Sequence, residues 1–289
     1  MHSRIGVPGI LPVCISDFYD TAAVGCGVCV GPHTAVEMAD NSHSYYRLHS
    51  EFVKRTDYDV VFREALNDLA GKVDISWVRS CVSFGTGSGE REMDLVQRLL
   101  PNLRAFHAVE PDAESAAALR VEFQSGRLRG VETTVVETSL ESWSGVDTPL
   151  DAVLLISMLP HVHAADRKAL LQQLRTEYLS PEGVVVICDN VCSVRSVYVL
   201  VMERLGWPRV DFDVLQNEIL EAGFRPVASS DLNISRDWCN PHSDDLVRFI
   251  RMLTNYERSE HEVIAAIDDV EFTHPNMTFL PKTLAIFAK

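Results

Sequence analysis

Hydrophobic residues along the chain follow two alternating patterns. From residue 78 to residue 288, short apolar runs alternate with longer segments whose apolar positions recur every three or four residues. The first pattern predicts strands and the second predicts helices. The predicted strands are 78–84, 104–109, 133–136, 152–156, 184–189, 225–230 and 283–288, and the predicted helices are 90–100, 113–124, 166–177, 197–205, 212–222, 244–253 and 259–268. This alternation predicts an α/β fold with a doubly wound sheet of parallel strands.

The region before the first strand divides into two parts. Residues 1–40 mix Gly, Pro, Cys and Val without a steady period, which indicates an irregular extension. Residues 44–69 have helical periodicity with a break near 56–59, where Asp57 is the expected N-cap of a second helix. We therefore expect one domain over 41–289, in which the helices at about 41–72 form a cap over the open end of the sheet.

Three glycines follow the first predicted strand directly. Gly85, Gly87 and Gly89 alternate with Thr86 and Ser88 immediately before a helix. Glycines at such a turn permit a sharp bend and let a ligand approach bare peptide. The spacing predicts a nucleotide-binding turn.

An acidic residue about twenty positions further on strengthens this interpretation. Glu110 ends the second predicted strand, where a carboxylate can accept both hydroxyls of a ribose bound over the glycine turn. A dinucleotide site requires a third glycine where this chain has Glu90. The pattern therefore favours S-adenosylmethionine, which carries no pyrophosphate.

Composition and charge limit the possible partners. The chain has 289 residues, 46% of them hydrophobic, which is enough for one large domain with a full core. Its formal charge of −15 argues against a general nucleic-acid or anionic-membrane partner, because phosphate groups would be repelled. A cationic small molecule would be attracted. No run of apolar residues is long enough for a membrane span.

The seven cysteines indicate reduced thiols rather than structural disulfides. Their number is odd, and a chain of this size needs no covalent staples, so a cytoplasmic location is the expectation. Cys26 and Cys29 have the spacing of half a zinc site. No second pair follows at a suitable spacing, so we expect no metal.

Four motifs together resemble the histamine N-methyltransferase family of class I S-adenosylmethionine enzymes. They are the glycine run ending in Glu90, the pair Glu110-Pro111, the segment 158–162 (Met-Leu-Pro-His-Val) and the terminal strand beginning Thr283-Leu284. The resemblance covers about 45–289. It implies a Rossmann-like class I methyltransferase sheet and S-adenosylmethionine as cofactor.

The resemblance also implies where the cofactor binds. Besides Gly85, Thr86, Gly87 and Gly89, it places Glu110 on the ribose of the cofactor. It places Ser115, Ser139 and Ile156 around the ribose and adenine. The acceptor implied is a nitrogen of a small amine or imidazole, bound by an enzyme that we expect to be monomeric.

The substrate side departs from the family. The positions that contact histamine in the family correspond here to Tyr58, Ser157 and Lys282, and all three residue types differ from the family's. A lysine in the pocket would repel a primary ammonium and would suit an anionic substrate. The substrate preference is therefore expected to be altered.

The reaction requires few catalytic side chains. Transfer of an activated methyl group depends mainly on positioning the acceptor and excluding water. Asp57, Asp59 and His161 are candidates to accept a proton by location only, so the sequence assigns no general base. A methyltransferase of another acceptor, such as an amino acid or a protein, a non-catalytic cofactor-binding homologue and a dehydrogenase stay open as alternatives.

Overall fold

The computed structural model describes residues 45–140, 142–193, 195–207, 210–235, 244–254, 257–273 and 279–289. The predicted extension at 1–40, with Cys26 and Cys29, lies outside these residues. The division into an extension, a cap and a methyltransferase domain therefore stays a prediction.

Seven strands form one mixed sheet. Its order is β3-β2-β1-β4-β5-β7-β6, with β1 to β5 parallel and β7 antiparallel to both neighbours. The strands are β1 (Ser80–Phe84), β2 (Ala105–Val109), β3 (Glu132–Val136), β4 (Leu150–Ile156), β5 (Leu179–Asn190), β6 (Arg225–Ile234) and β7 (Leu280–Ala288). The predicted α/β fold class, a Rossmann-like doubly wound sheet, is confirmed.

Helices cover both faces of the sheet. In the described residues they are α1 (Tyr45–Val53), α2 (Tyr58–Lys72), α3 (Glu90–Leu99), α4 (Ala113–Gln124), α5 (Ala164–Gln173), α6 (Val197–Arg204), α7 (Phe212–Glu221), α8 (Asp244–Leu253) and α9 (Glu260–Thr273). A π-helical turn, Leu174–Tyr178, joins α5 to β5. The single helix predicted over 166–177 is thus an α-helix that ends in a wider turn.

The core consists of two apolar layers, one on each side of the sheet. Successive residues of β4 point to opposite sides, so Leu154 belongs to one layer and Val153 and Leu155 to the other. All three are fully buried. Burial on both faces explains why the central strands are continuous apolar runs rather than alternating ones.

The last strand corrects the prediction that all strands are parallel. Ile234 at the end of β6 pairs with Leu280 at the start of β7, and the Phe279 N–H donates to the Ile234 carbonyl oxygen at 3.1 Å. The chain therefore leaves β6 and enters β7 at the same end of the sheet. Hydrophobic periodicity identifies a strand, but it does not show the path of the preceding connection, which sets the direction of the strand.

Of the two N-terminal helices, α2 lies against the sheet and α1 packs on α8. Helix α2 packs on β6 and α3, and Lys72 in its last turn donates to the Ser229 carbonyl oxygen at 2.8 Å. Asp57 precedes α2, but its side chain makes no capping bond. Its carboxylate instead accepts from the Ser235 N–H at 2.6 Å. Asp57 is thus the N-cap residue of α2 by position, as expected, but its carboxylate ties the start of α2 to the end of β6 instead of capping the helix.

Gly89 provides a test of how tightly α3 packs. Its φ is +77°, and a Cβ added there would meet the side chain of Leu119 in α4. We expect Gly89→Ala to lower the unfolding free energy by about 2–4 kcal/mol, since overpacking and backbone strain add together. Urea denaturation measures this change.

Gly130→Ala is the matched control. Gly130 also has a positive φ, +86°, but nothing lies within 4 Å of an added Cβ. Only the strain is then expected, about 1 kcal/mol. Equal losses for the two variants would show that the contact between α3 and α4 is not a tight constraint.

Candidate functional site

The glycine turn and the predicted ribose carboxylate meet where β1 and β2 end. The Gly85 N–H donates to the Val109 carbonyl oxygen at 2.8 Å, and the Gly87 N–H donates to Glu110 Oε2 at 2.7 Å. The carboxylate of Glu110 therefore faces the glycines, as a shared ribose site requires.

Glu110 is held by backbone donors on both oxygens. Its Oε1 accepts from the Asp112 N–H at 2.9 Å, and the residue is 6% exposed. Burial raises the pKa of Glu110, the N–H groups of Asp112 and Gly87 oppose that rise, and the charge of Asp112 adds to it. Because each carboxylate oxygen has more than one lone pair, both can still accept a hydroxyl.

The three glycines adopt left-handed conformations for different reasons. Gly89 leaves room for Leu119, as described above. Gly87, with φ of +57°, has nothing within 4 Å of its missing side chain, so the turn is open towards a ligand there. At Gly85 an added Cβ would lie 3.1 Å from Cγ of Met158, which brings the segment after β4 against the turn.

Two of the predicted cofactor residues brace the site through local hydrogen bonds. Thr86 is buried, and its hydroxyl donates to the Ser83 carbonyl oxygen at 3.1 Å. Ser115 is buried in the first turn of α4, where its N–H donates to the N-cap carboxylate of Asp112 at 2.7 Å. The structure places both beside the turn or the carboxylate, at the edge where β1 and β2 end.

The remaining predicted cofactor residues lie at the ends of β3 and β4. Ser139 is half-buried in the loop after β3, and its hydroxyl lies 3.2 Å from that of Ser142. Trp143 anchors this loop by packing edge-on against Phe84, with ring centroids 5.0 Å apart. Ile156 ends β4 and is 7% exposed. A flat apolar ligand could pack against its side chain.

The three predicted substrate residues come together in the fold. Lys282 Nζ donates to Ser157 Oγ at 2.7 Å and lies 5.5 Å from the ring centroid of Tyr58. The Tyr58 hydroxyl lies 3.7 Å from Cys188 Sγ. Residues far apart in the chain thus form one buried cluster beside Met158, next to the glycine turn.

Ser157 is held in an unusual backbone conformation. Its φ is +56°, and it is the one non-glycine residue with a positive φ among those described. Its N–H donates to the Cys188 carbonyl oxygen at 2.8 Å, which fixes the end of β4 against β5. Strained residues persist where the surrounding structure determines them, and they concentrate at functional sites.

Two residues directly after the glycine turn were missed by the sequence analysis. The Arg91 guanidinium stacks over Tyr58 at 4.1 Å and pairs with Asp59 at 3.5 Å. Glu92 is 4% exposed, and burial raises its pKa to about 7. The helical period places Glu92 near the apolar side of α3, but no sequence signal showed a polar neighbour for it.

Asp189 and two histidines also border the cluster. Burial raises the pKa of Asp189 to about 6, and burial followed by the charge of Lys282 lowers the pKa of His161. His49 of α1 was not predicted. Burial, then the charges of Arg91 and Lys282, lower its pKa to about 3. Both imidazoles are therefore neutral near pH 7, and the low pKa of His49 makes it a weak proton acceptor.

The two candidate proton acceptors near the start of α2 lie differently. Asp57 binds the Ser235 N–H, and Asp59 is exposed enough to pair with Arg91 at the surface. Neither is in hydrogen-bond contact with Tyr58, Ser157 or Lys282 in the described residues. His161 stays the proton acceptor that the sequence predicted by location only.

An open cleft of about 620 Å³ lies between α7 and the outer strands β6 and β7, and of the three predicted substrate residues only Lys282 borders it. Asp213, Gln216, Asp231 and Thr283 contribute to its lining. None of the predicted cofactor residues does. We assign the site to the edge at Gly87 and Glu110, because ligands of open α/β sheets bind at the carboxyl ends of the parallel strands.

Among the described residues, no group of three or more His, Cys, Asp or Glu side chains is arranged to hold a metal ion. None of the helices described is both long and apolar enough to span a membrane.

Comparisons with known proteins show no family for this chain. No protein-family model matches the chain, and no curated protein matches it. The similar solved structures include the cyclopropane synthase MmaA2 from Mycobacterium tuberculosis, at 12% identity over 78% of this chain and 82% of that one, with a TM-score of 0.49. The N-methyltransferase NodS from Bradyrhizobium japonicum, solved with S-adenosyl-L-homocysteine, is 12% identical over 73% and 78%, with a TM-score of 0.44.

A third similar structure is the cyclase SpnF, at 13% identity over 78% of this chain and 79% of that one, with a TM-score of 0.49. A synthase, a methyltransferase and a cyclase thus share this general likeness. At such low identity the likeness says nothing about the reaction, so function has to be argued from the site.

Glu92 gives a prediction for the dependence of stability on pH. Its pKa is about 7 in the fold against a usual 4.5, so the folded protein holds this proton more tightly than the unfolded chain. The unfolding free energy should therefore fall as pH rises from about 4.5 to about 7, by up to about 3 kcal/mol from this residue. Urea denaturation of the ligand-free protein at about pH 5 and about pH 8 measures the slope.

Glu92→Gln should remove this part of the slope, because glutamine does not titrate. Glu90→Gln, at an exposed position two residues earlier, is the control and should leave the slope unchanged. If wild type and Glu92→Gln had parallel stability profiles, Glu92 would not be a buried carboxyl group with a raised pKa.

Proposed function

We propose that this chain is an S-adenosylmethionine-dependent methyltransferase that transfers a methyl group to a nitrogen of a small molecule. The observation that carries the proposal is the hydrogen bond between the Gly87 N–H and Glu110 Oε2, at 2.7 Å. It holds the glycine turn and the carboxylate side by side, which supports a shared ligand site.

The residues at this site fit an adenosyl group. The carboxylate of Glu110 has acceptor capacity for ribose hydroxyls, and Gly87 is open towards the ligand. Ile156 offers an apolar surface for an adenine, and Ser139 lies in the loop after the neighbouring strand. A dehydrogenase is disfavoured, because Glu90 takes the place of the third glycine that closes a pyrophosphate site.

The bound cofactor would supply a methyl group on a cationic sulfur. The acceptor nitrogen would form a bond to the methyl carbon, and the sulfur would keep the electrons of the broken carbon–sulfur bond. The methylated nitrogen would then give up a proton. The protein then has to orient the acceptor, exclude water and receive that proton. Tyr58, Ser157 and Lys282 border the acceptor side. His161 and His49 are neutral imidazoles beside them.

Transfer to nitrogen is the finer part of the proposal. It is supported by the motifs shared with the histamine N-methyltransferase family, at Gly85–Glu90, Glu110-Pro111, 158–162 and Thr283-Leu284. The same family resemblance supports a small amine or imidazole acceptor. The odd number of cysteines supports a cytoplasmic location, and we propose that the enzyme is monomeric. Two alternatives are transfer to another type of acceptor and cofactor binding without catalysis. An assay of methyl transfer distinguishes them from the proposal, and the titration described next tests whether the cofactor binds.

Removal of the Glu110 carboxylate tests the cofactor site. We expect Glu110→Ala to raise the dissociation constant of S-adenosylhomocysteine about tenfold or more, since charge-assisted hydrogen bonds to the ribose are lost. Isothermal titration calorimetry measures the constant. Glu132→Ala is the control, because Glu132 is an exposed acid at the start of β3, at the opposite end of the sheet.

Glu132→Ala removes the same charge and should leave the dissociation constant unchanged. Equal affinity of wild type and Glu110→Ala would contradict the ribose role of Glu110. A wild-type chain that binds no S-adenosylhomocysteine would contradict the proposed function as a whole.

A further inference from the structure

Lys282 is a buried cation with few partners. Its residue is 5% exposed, and its ammonium donates one hydrogen bond, to Ser157 Oγ. It forms no ion pair with a carboxylate in the parts of the chain that the structure describes. An ammonium has three donors, and burial of a charge is costly unless the charge is paired. This arrangement indicates a ligand that completes the site.

A second cation lies nearby, at the same tyrosine. The Tyr58 ring has the Arg91 guanidinium at 4.1 Å and the Lys282 ammonium at 5.5 Å. Arg91 pairs with Asp59 at 3.5 Å, and its Nε is buried without a hydrogen-bond partner among the described residues. Both positive groups thus lie against the same tyrosine ring.

Asp59 pairs with Arg91, so among the described residues it is the charge of Lys282 that has no carboxylate paired with it. The charge of Lys282 opposes the rise that burial causes in the pKa of Asp189, but Asp189 neighbours Thr283 in the pairing of β5 with β7 and so points to the opposite face of the sheet from Lys282. His49 is held neutral at pH 7 partly by Arg91 and Lys282. In a chain of net charge −15, this local excess of positive charge is specific to the site.

The position of the two cations indicates the acceptor rather than the nucleoside. Ser157, which binds Lys282, follows Ile156 at the end of β4, and Met158 after it contacts the glycine turn. Lys282 reaches this point from the start of β7, on the side of the sheet away from β2 and Glu110. A group bound by Lys282 therefore lies beyond the adenosyl site.

We propose that Lys282 and Arg91, held by Tyr58, bind a carboxylate of the acceptor, so that the methylated amine or nitrogen heterocycle is one that carries a carboxylate. This inference rests on the proposed function and narrows its substrate class. A simple amine would place its ammonium against two cations, whereas a carboxylate accepts hydrogen bonds from both.

Matched acceptors that differ in charge test the proposal. We would measure kcat/KM for methyl transfer to imidazoleacetate and glycine, and to their amine counterparts histamine and methylamine. Wild type should prefer the carboxylate member of each pair by about tenfold or more, because one charge-assisted interaction is gained and one repulsion avoided. Equal rates, or preference for the amines, would overturn the proposal.

Substitutions of Lys282 locate the effect. Lys282→Met should lower kcat/KM for the carboxylates about tenfold to hundredfold, leave that for the amines unchanged or higher, and leave S-adenosylhomocysteine affinity unchanged. Lys282→Arg keeps the charge and should keep the preference, even if the Met variant does not fold. Lys168→Met removes an exposed lysine of α5 and should change neither measurement.

Two outcomes separate this inference from the proposed function. If Lys282→Met weakened S-adenosylhomocysteine binding as much as it lowered carboxylate turnover, Lys282 would hold the cofactor, and the acceptor subsite would be wrong. If wild type bound no S-adenosylhomocysteine, the proposed function would fail. Calorimetry with imidazoleacetate would then still support the subsite if Lys282→Met abolished its binding, and would overturn it if wild type did not bind it.

Discussion

The hydrogen bond between the Gly87 N–H and the carboxylate of Glu110 is the constraint on which the site depends. It joins the turn after β1 to the end of β2, so the two halves of the proposed cofactor site keep one relative position. The second carboxylate oxygen binds the Asp112 N–H, and Asp112 in turn caps α4. A single buried carboxylate thereby orients a glycine turn, a strand end and a helix start.

The acceptor side is built from elements that are distant in sequence. Tyr58 comes from α2, Ser157 from the end of β4 and Lys282 from the antiparallel strand β7. The antiparallel direction of β7 matters, because β7 then begins at the end of the sheet where β4 and β5 finish. If β7 were parallel to β5, Lys282 would lie at the opposite end of the sheet, away from Ser157.

The net charge of the protein and the local charges in the cluster of Tyr58, Ser157 and Lys282 have opposite signs and act over different distances. The net charge of −15 acts over the whole surface and disfavours anionic macromolecules as partners. Arg91 and Lys282 act at short range in a poorly solvated cluster, where a charge interacts more strongly than in water. An anionic small molecule can therefore be bound locally although the protein as a whole repels anions.

By itself the sequence determined the order of strands and helices, the glycine turn and the acid after β2, because each of these is a local pattern of residue types. It also identified Tyr58, Ser157 and Lys282, but only through a family resemblance. The antiparallel direction of β7, the bond from Asp57 to Ser235 and the placement of His49, Arg91 and Glu92 around the cluster were decided by tertiary structure. The physical reason is that strand direction, burial and pKa depend on which distant segments pack together, and no local pattern contains that information.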